Sequence, residues 1–148
     1  MAPRSRITTD SFKYDPVADS ITTIASIPRA TSNTRGLNFN GQMWVLGGAF
    51  NLISNEVDVY DPVGNSWSLG PAFTTARRNF PTDTDGTTRI WLAGGYDSTI
   101  APLNSMEIFC NAGGELHTNT DSVGNCDSNG DSNSNGDRDR HSYSNSNA

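Results

Sequence analysis

Two glycine doublets, Gly47-Gly48 and Gly94-Gly95, lie 47 residues apart. Each closes a short apolar run that carries a tryptophan, Trp44 in one and Trp91 in the other. A sequence that repeats at this distance builds one supersecondary unit more than once. The fold must then be one in which equivalent units pack side by side.

The fullest copy of the unit is Gln42 to Leu69. Its first run, Gln42 to Leu46, is apolar without alternation, which predicts a strand buried on both faces. Gly47-Gly48 allows positive φ or a close backbone approach. The next strand, Glu56 to Tyr60, alternates polar and apolar residues and runs into the turn Asp61-Pro62-Val63-Gly64-Asn65. A short strand carrying Trp67 follows. Tyr14-Asp15-Pro16 matches Tyr60-Asp61-Pro62 at a distance of 46 residues, with Ile21 in the place of Trp67. Met106 to Phe109 matches Val57 to Tyr60 at a distance of 49, so the intervening loop has gained two residues. Asn40-Gly41 and Asp85-Gly86 are hairpin turn pairs. No stretch has apolar residues at i, i+3 and i+4 over a useful length. The expected fold class is all-β.

These residues resemble the kelch repeat, in which a strand ending in Gly-Gly precedes a strand ending in Tyr-Asp and a Trp beyond it. The match is Gly47, Gly48, Tyr60, Asp61 and Trp67 in the complete copy; Gly94 and Gly95, with Phe109 at the Tyr position, in the next; and Tyr14 and Asp15 in the partial copy before. Pro28-Arg29 and Arg77-Arg78 resemble the residues that often open such a unit. The resemblance implies a kelch-type β-propeller fragment of about two four-stranded antiparallel blades. The expected division is a disordered N-terminus over 1–10, a partial blade over 11–28, a complete blade over 29–73, an incomplete blade over 74–110 and a disordered low-complexity tail over 111–148. Aromatic residues such as Tyr60 and Trp67 are expected to fill the wedge between blades, and Glu56, Asp58 and Glu107 to face solvent. So short a body would leave apolar blade faces uncovered, so other blades or further copies are expected to cover them, as in a piece of a longer propeller.

Composition narrows the function classes. The net charge is −6 and the pI about 4.6, which argues against a general binder of nucleic acid or anionic membranes. No apolar run approaches membrane-spanning length, and the N-terminus has no secretory h-region. An intracellular protein, or an extracellular one whose true N-terminus is missing, is expected. Cys110 and Cys126 make no disulfide framework.

The tail is rich in Ser, Asn, Asp and Gly. Its Asp127, Asn129, Asp131, Asn133, Asn135 and Asp137 alternate oxygen ligands, but no glutamate closes a calcium loop. Its Ser-Asn, Gly-Asp and Arg-Asp pairs can be encoded by codons that give Ala-Thr runs when read one base out of frame, and His117 to Asp121 by codons that give a Thr-Pro run. Such runs are extended linkers of the kind found after extracellular bacterial domains, and the tail is read as a frameshift product.

His117 and His141, the two histidines, lie in that tail, so the body offers no Ser-His-Asp or Cys-His site. Galactose oxidase has similar blades, but this chain does not supply its His and Tyr copper ligands. Asp83-Thr84-Asp85-Gly86 reads as a hairpin turn rather than a metal loop. No catalytic, cofactor-binding or metal residues are expected. The expected function is a non-catalytic module that binds another protein through its loops: Ala49 to Asn55, Tyr96 to Asn104, and the segments around Arg29 and Arg77-Arg78. The alternatives are part of a secreted carbohydrate-binding or galactose-oxidase-like propeller, and a truncated reading frame without function.

Overall fold

A computed structural model describes the backbone over 7–49, 52–112 and 115–119, and side chains as far as 110. The described residues contain strands and turns and no helix. Strands β1 (Ser11–Asp15) and β2 (Ser20–Ile24) form a hairpin. Blade I follows, an antiparallel sheet of β3 (Arg35–Phe39), β4 (Gln42–Ala49), β5 (Ile53–Asp61) and β6 (Ser66–Leu69) in sequence order. Blade II repeats the order with β7 (Thr82–Thr84), β8 (Arg89–Ala93), β9 (Met106–Ala112) and β10 (Glu115–Asn119).

The last strand corrects the expected boundary. Blade II was expected to stop at Cys110 with three strands and to give way to a disordered tail. Instead β9 runs on to Ala112, and β10 pairs with it from Glu115↔Ala112 to Asn119↔Ile108. The segment Glu115 to Asn119 carries no Trp, but its backbone can still satisfy the outer edge of β9. The rest of the expected tail, 120–148, lies outside the described residues. Cys110 takes part in a disulfide. Cys126, the chain's other cysteine, also lies outside them.

Turn chemistry explains where strands end. Asn40 and Gly41 have φ of 51° and 75°, the pair of left-handed residues that a two-residue hairpin needs. Asp85 caps the β7–β8 turn by accepting from the backbone N–H of Thr87, Thr88 and Arg89 and from the Thr88 hydroxyl. Those hydrogen bonds, led by the Thr88 hydroxyl, hold its carboxyl well below the usual range. The Tyr-Asp-Pro turns are built alike. Asp15 accepts from Val17 N and Ala18 N, and Asp61 from Val63 N and Gly64 N. Tyr14 Oη donates to Asp19 Oδ1 and Tyr60 Oη to Asn65 Oδ1, both at 2.9 Å. Asp19 and Asn65 both have φ of 45°, a left-handed conformation that Asn and Asp tolerate. The tyrosine therefore clamps its own turn besides packing.

The core is the seam between the blades. Phe39, Trp44, Leu46, Val57 and Val59 of blade I meet Ile90, Leu92 and Phe109 of blade II, with Phe73 and Phe80 from the connecting segment. Trp44 packs edge-on to both Phe39 and Phe109. Backbone bonds tie the seam, from Asn40 N to Gly86 O and from Asn79 N to Asn33 O. At the open end of β4, Gly47 has φ of 54°, and a Cβ there would lie 2.7 Å from the Phe73 ring and 2.8 Å from Arg77 O. Only glycine admits the next blade this closely.

Candidate functional site

Each blade is braced by one arginine from the segment that leads into it. Arg29 and Arg77 lie 48 residues apart, and their carboxylate partners, Asp58 and Glu107, lie 49 apart on β5 and β9. Each guanidinium donates to the carbonyl of the first glycine in its doublet: Arg29 Nη1 to Gly47 O at 3.2 Å, and Arg77 Nη1 to Gly94 O at 2.9 Å. The Gly-Gly corner, the leading arginine and the carboxylate of the third strand thus form one recurring unit. Asp58 and Glu107 are buried, which overturns the expectation that they face solvent. Alternation along β5 and β9 does place polar residues on one face. That face is covered by the neighbouring unit, so the carboxylates lie inside. Glu56 remains exposed and approaches Arg29 Nε at 3.5 Å.

The two anchors are finished differently. Glu107 accepts from Thr74 N at 2.6 Å and Thr75 N at 3.0 Å, and its Oε1 lies 2.5 Å from Arg77 Nη2. Arg77 is fully buried and further donates to the carbonyls of Thr75 and Ser105. Asp58 has one partner. Arg29 Nε lies 2.7 Å from Oδ2, but neither carboxylate oxygen accepts an aligned hydrogen bond. Burial pushes the Asp58 carboxyl above its usual range, and the Arg29 charge only partly opposes this.

Chain length accounts for the difference. Ile27 N donates to Thr9 O, and Phe73 N donates to Asn55 O, each partner 46 residues from its counterpart. From that shared point, only Pro28 intervenes before Arg29, whereas Thr74, Thr75 and Ala76 intervene before Arg77. The extra residues supply the N–H groups that cap Glu107.

These anchors also revise the list of binding loops. The segments around Arg29 and Arg77 spend their guanidinium groups on internal acceptors. Arg78 exchanges backbone hydrogen bonds with Tyr96. The β4–β5 and β8–β9 loops are different, because each presents apolar side chains to solvent: Leu52 in the first, Tyr96 and Ile100 in the second. Phe50 and Asn51 lie outside the described residues. Ile100 has φ of 66° and is 64% exposed. A β-branched residue in the left-handed region is an outlier. Asp97 holds it there. Its Oδ1 accepts from Thr99 N, the Thr99 hydroxyl and Ala101 N, and its carbonyl accepts from Ile100 N. Residues 48, 77, 78 and 96 link the two loop bases through Gly48 N to Arg77 O and the Arg78–Tyr96 bridge, so both loops emerge at one end of the blades.

Of the motif residues read from sequence, Tyr60 and Trp67 pack as tilted rings with centroids 5.1 Å apart on the side of blade I that meets the β1–β2 hairpin, and Trp67 Nε1 donates to Ala25 O at 2.7 Å. Phe109 lies in the seam. Tyr14 and Asp15 lie on the hairpin and Asp61 in its turn, as described above. Sequence reasoning missed Asn65, whose Oδ1 accepts from both Tyr60 Oη and Ala25 N. It also missed the arginine–carboxylate pairs, although their shared spacing of 48 and 49 residues could have revealed them. Among the described residues, no three His, Cys, Asp or Glu side chains cluster as metal ligands would.

Comparison with known proteins agrees with this architecture. A family model described as the kelch motif matches residues 30–74. Alpha-scruin and beta-scruin of Limulus polyphemus are 27% and 29% identical over 127 residues, which is 76% of this chain. The chain spans 14% of the length of each of these relatives. The solved structure of YjhT superimposes with a TM-score of 0.67 at 15% identity, covering 74% of this chain and 42% of that one. Residues 30–74 match the kelch motif, and the two four-stranded sheets have the fold of blades in a kelch-type β-propeller.

Proposed function

We propose that this chain is a non-catalytic interaction module whose protein partner seats on the β4–β5 and β8–β9 loops. Kelch repeats generally serve as protein-interaction modules. The observation that carries the finer reading is Ile100, an exposed apolar side chain held at φ of 66° by the Asp97 cap. Such a conformation costs about 1–3 kcal/mol, and the surrounding turn must offset that cost. Rigid loops that present apolar anchors lose little conformational entropy when a partner covers them. Leu52 and Tyr96 add further apolar surface at the same end.

The test is comparative crosslinking with mass spectrometry on the full chain. Leu52→Asp with Ile100→Asp removes the anchors, and Val63→Asp, in the exposed Asp61–Asn65 turn, is the control. Proteins captured by the wild type should persist with the control and be lost with the loop variant. Capture that is indifferent to the loop variant would refute the reading.

A further inference from the structure

The arginines that lead into or open the two blades are of two kinds. Arg29 and Arg77 are spent on carboxylates and on glycine carbonyls inside the blades. Arg35 and Arg78 form no ion pair among the described residues. Arg35 is exposed. Its Nε donates to Phe80 O at 2.6 Å and its Nη1 to Thr34 O at 3.3 Å, which uses two of the five N–H groups of a guanidinium. Arg78 is half-buried, and its Nε is shut off from solvent without a hydrogen-bond partner.

Both arginines lie at the joint between the two blades. Arg35 opens β3 and holds the carbonyl of Phe80, two residues beyond Arg78. Asn33 and Asn79, 46 residues apart, meet at the same joint, where Asn79 N donates to Asn33 O at 3.0 Å. Both are exposed, with φ of 56° and 52°. Ser32 is the blade I counterpart of Arg78, and its hydroxyl is already given to Ala49 O at 2.5 Å. Arg78 instead brings a charge to that position. It pairs with Tyr96 across an antiparallel bridge, so the guanidinium and the 40% exposed ring share a side. The carboxylate of the adjoining loop, Asp97, is taken up by Thr99 and by Ala101 N.

On the loop reading proposed above, from which this follows, we infer that the seated partner offers an acidic side chain whose carboxylate is received by Arg35 and Arg78, with the amides of Asn33 and Asn79 beside it. Charge complementarity argues for that occupant. A guanidinium matches the two oxygens of a carboxylate, and acidic side chains are the anions that a protein surface supplies. Apolar residues of the same partner segment then meet Tyr96 and Ile100. The chain's net charge of −6 repels an acidic partner at long range, so the attraction is local and weakens with salt.

Nuclear magnetic resonance titration of the full chain tests this, with acetyl-Glu-Leu-Glu-amide as the probe and acetyl-Gln-Leu-Gln-amide as its neutral match. The acidic peptide should move the side-chain N–H signals of Arg35, Arg78, Asn33 and Asn79. It should leave those of Lys13, on the hairpin, and Arg89, at the opposite end of β8, in place. Arg78→Gln should weaken binding at least about tenfold, and Lys13→Gln, which removes the same charge elsewhere, by less than about twofold. Equal binding of the neutral peptide, equal shifts at Lys13 and Arg89, or no shifts at all would overturn the inference. Inorganic phosphate that moves the same signals at lower concentration than the peptide would overturn the carboxylate assignment. In the crosslinking experiment above, proteins lost with the loop variant but kept by Arg78→Gln would overturn this inference and leave the loop reading standing. Peptide binding at Arg78 with capture indifferent to the loop variant would refute the loop reading and leave the carboxylate site in place.

Discussion

The Arg77–Glu107 anchor of blade II and the Arg29–Asp58 anchor of blade I occupy the same place in two copies of one repeat, but only the first is saturated. Glu107 has a guanidinium and two backbone N–H groups; Asp58 has a guanidinium without aligned hydrogen bonds. A buried carboxylate is tolerated when its oxygens are satisfied and costs free energy when they are not. The comparison teaches that a repeat can preserve an ion pair while changing how fully its carboxylate is satisfied. The deciding element here is the length of the segment leading into the blade rather than the pair itself.

The sharpest way to break the comparison is to remove the arginines. Arg77→Ala leaves Glu107 buried without its counterion and should cost about 3–5 kcal/mol. Arg29 retains 19% side-chain exposure, and its partner can take up a proton, so Arg29→Ala should cost under about 2 kcal/mol. Urea denaturation of both variants measures the difference, and equal losses would remove the distinction between the anchors.

Shortening the better anchor is the next step down. Glu107→Asp withdraws the carboxylate from Thr74 N and Thr75 N and should cost about 1–3 kcal/mol, since two hydrogen bonds to a charged group are lost. A loss confined to a few tenths would mean that the two N–H groups contribute little.

The smallest expected effect concerns Asp58. Its folded-state carboxyl is raised above the ordinary value of 3.8 by burial. A raised carboxyl favours the folded state below its unfolded pKa, and that advantage is lost as pH rises through the folded value. Asp58→Asn should therefore change stability little below pH 3.8, and should leave it within about 1 kcal/mol or slightly increased at neutral pH. Melting temperatures measured from pH 3 to 7 check this. A variant that is clearly less stable than the wild type only at neutral pH would show that the Arg29 pair outweighs its desolvation.

Much of the architecture was legible in the sequence because its markers act locally. Gly47-Gly48 and Gly94-Gly95 mark corners that need left-handed backbone, and Tyr14-Asp15 and Tyr60-Asp61 mark turns closed by their own side chains. The misses have a common origin. Reading Asp58 and Glu107 as solvent-facing assumes that an alternating strand has one wet face, which fails when both faces of a sheet are covered. Strand β10 went unread because Glu115 to Asn119 has little strand character of its own and is placed by the free edge of β9. Ile100 carries no local mark at all, since only the Asp97 cap forces its backbone left-handed.

Sequence alone therefore determined the repeat, the all-β class and the turn positions, because glycine φ, proline geometry and Asp side-chain caps act within a few residues. Tertiary structure decided which polar residues are interior and which arginine saturates its carboxylate. Those depend on what the next blade brings into contact, and neighbours some 30 to 50 residues away in the chain leave no trace in a local pattern.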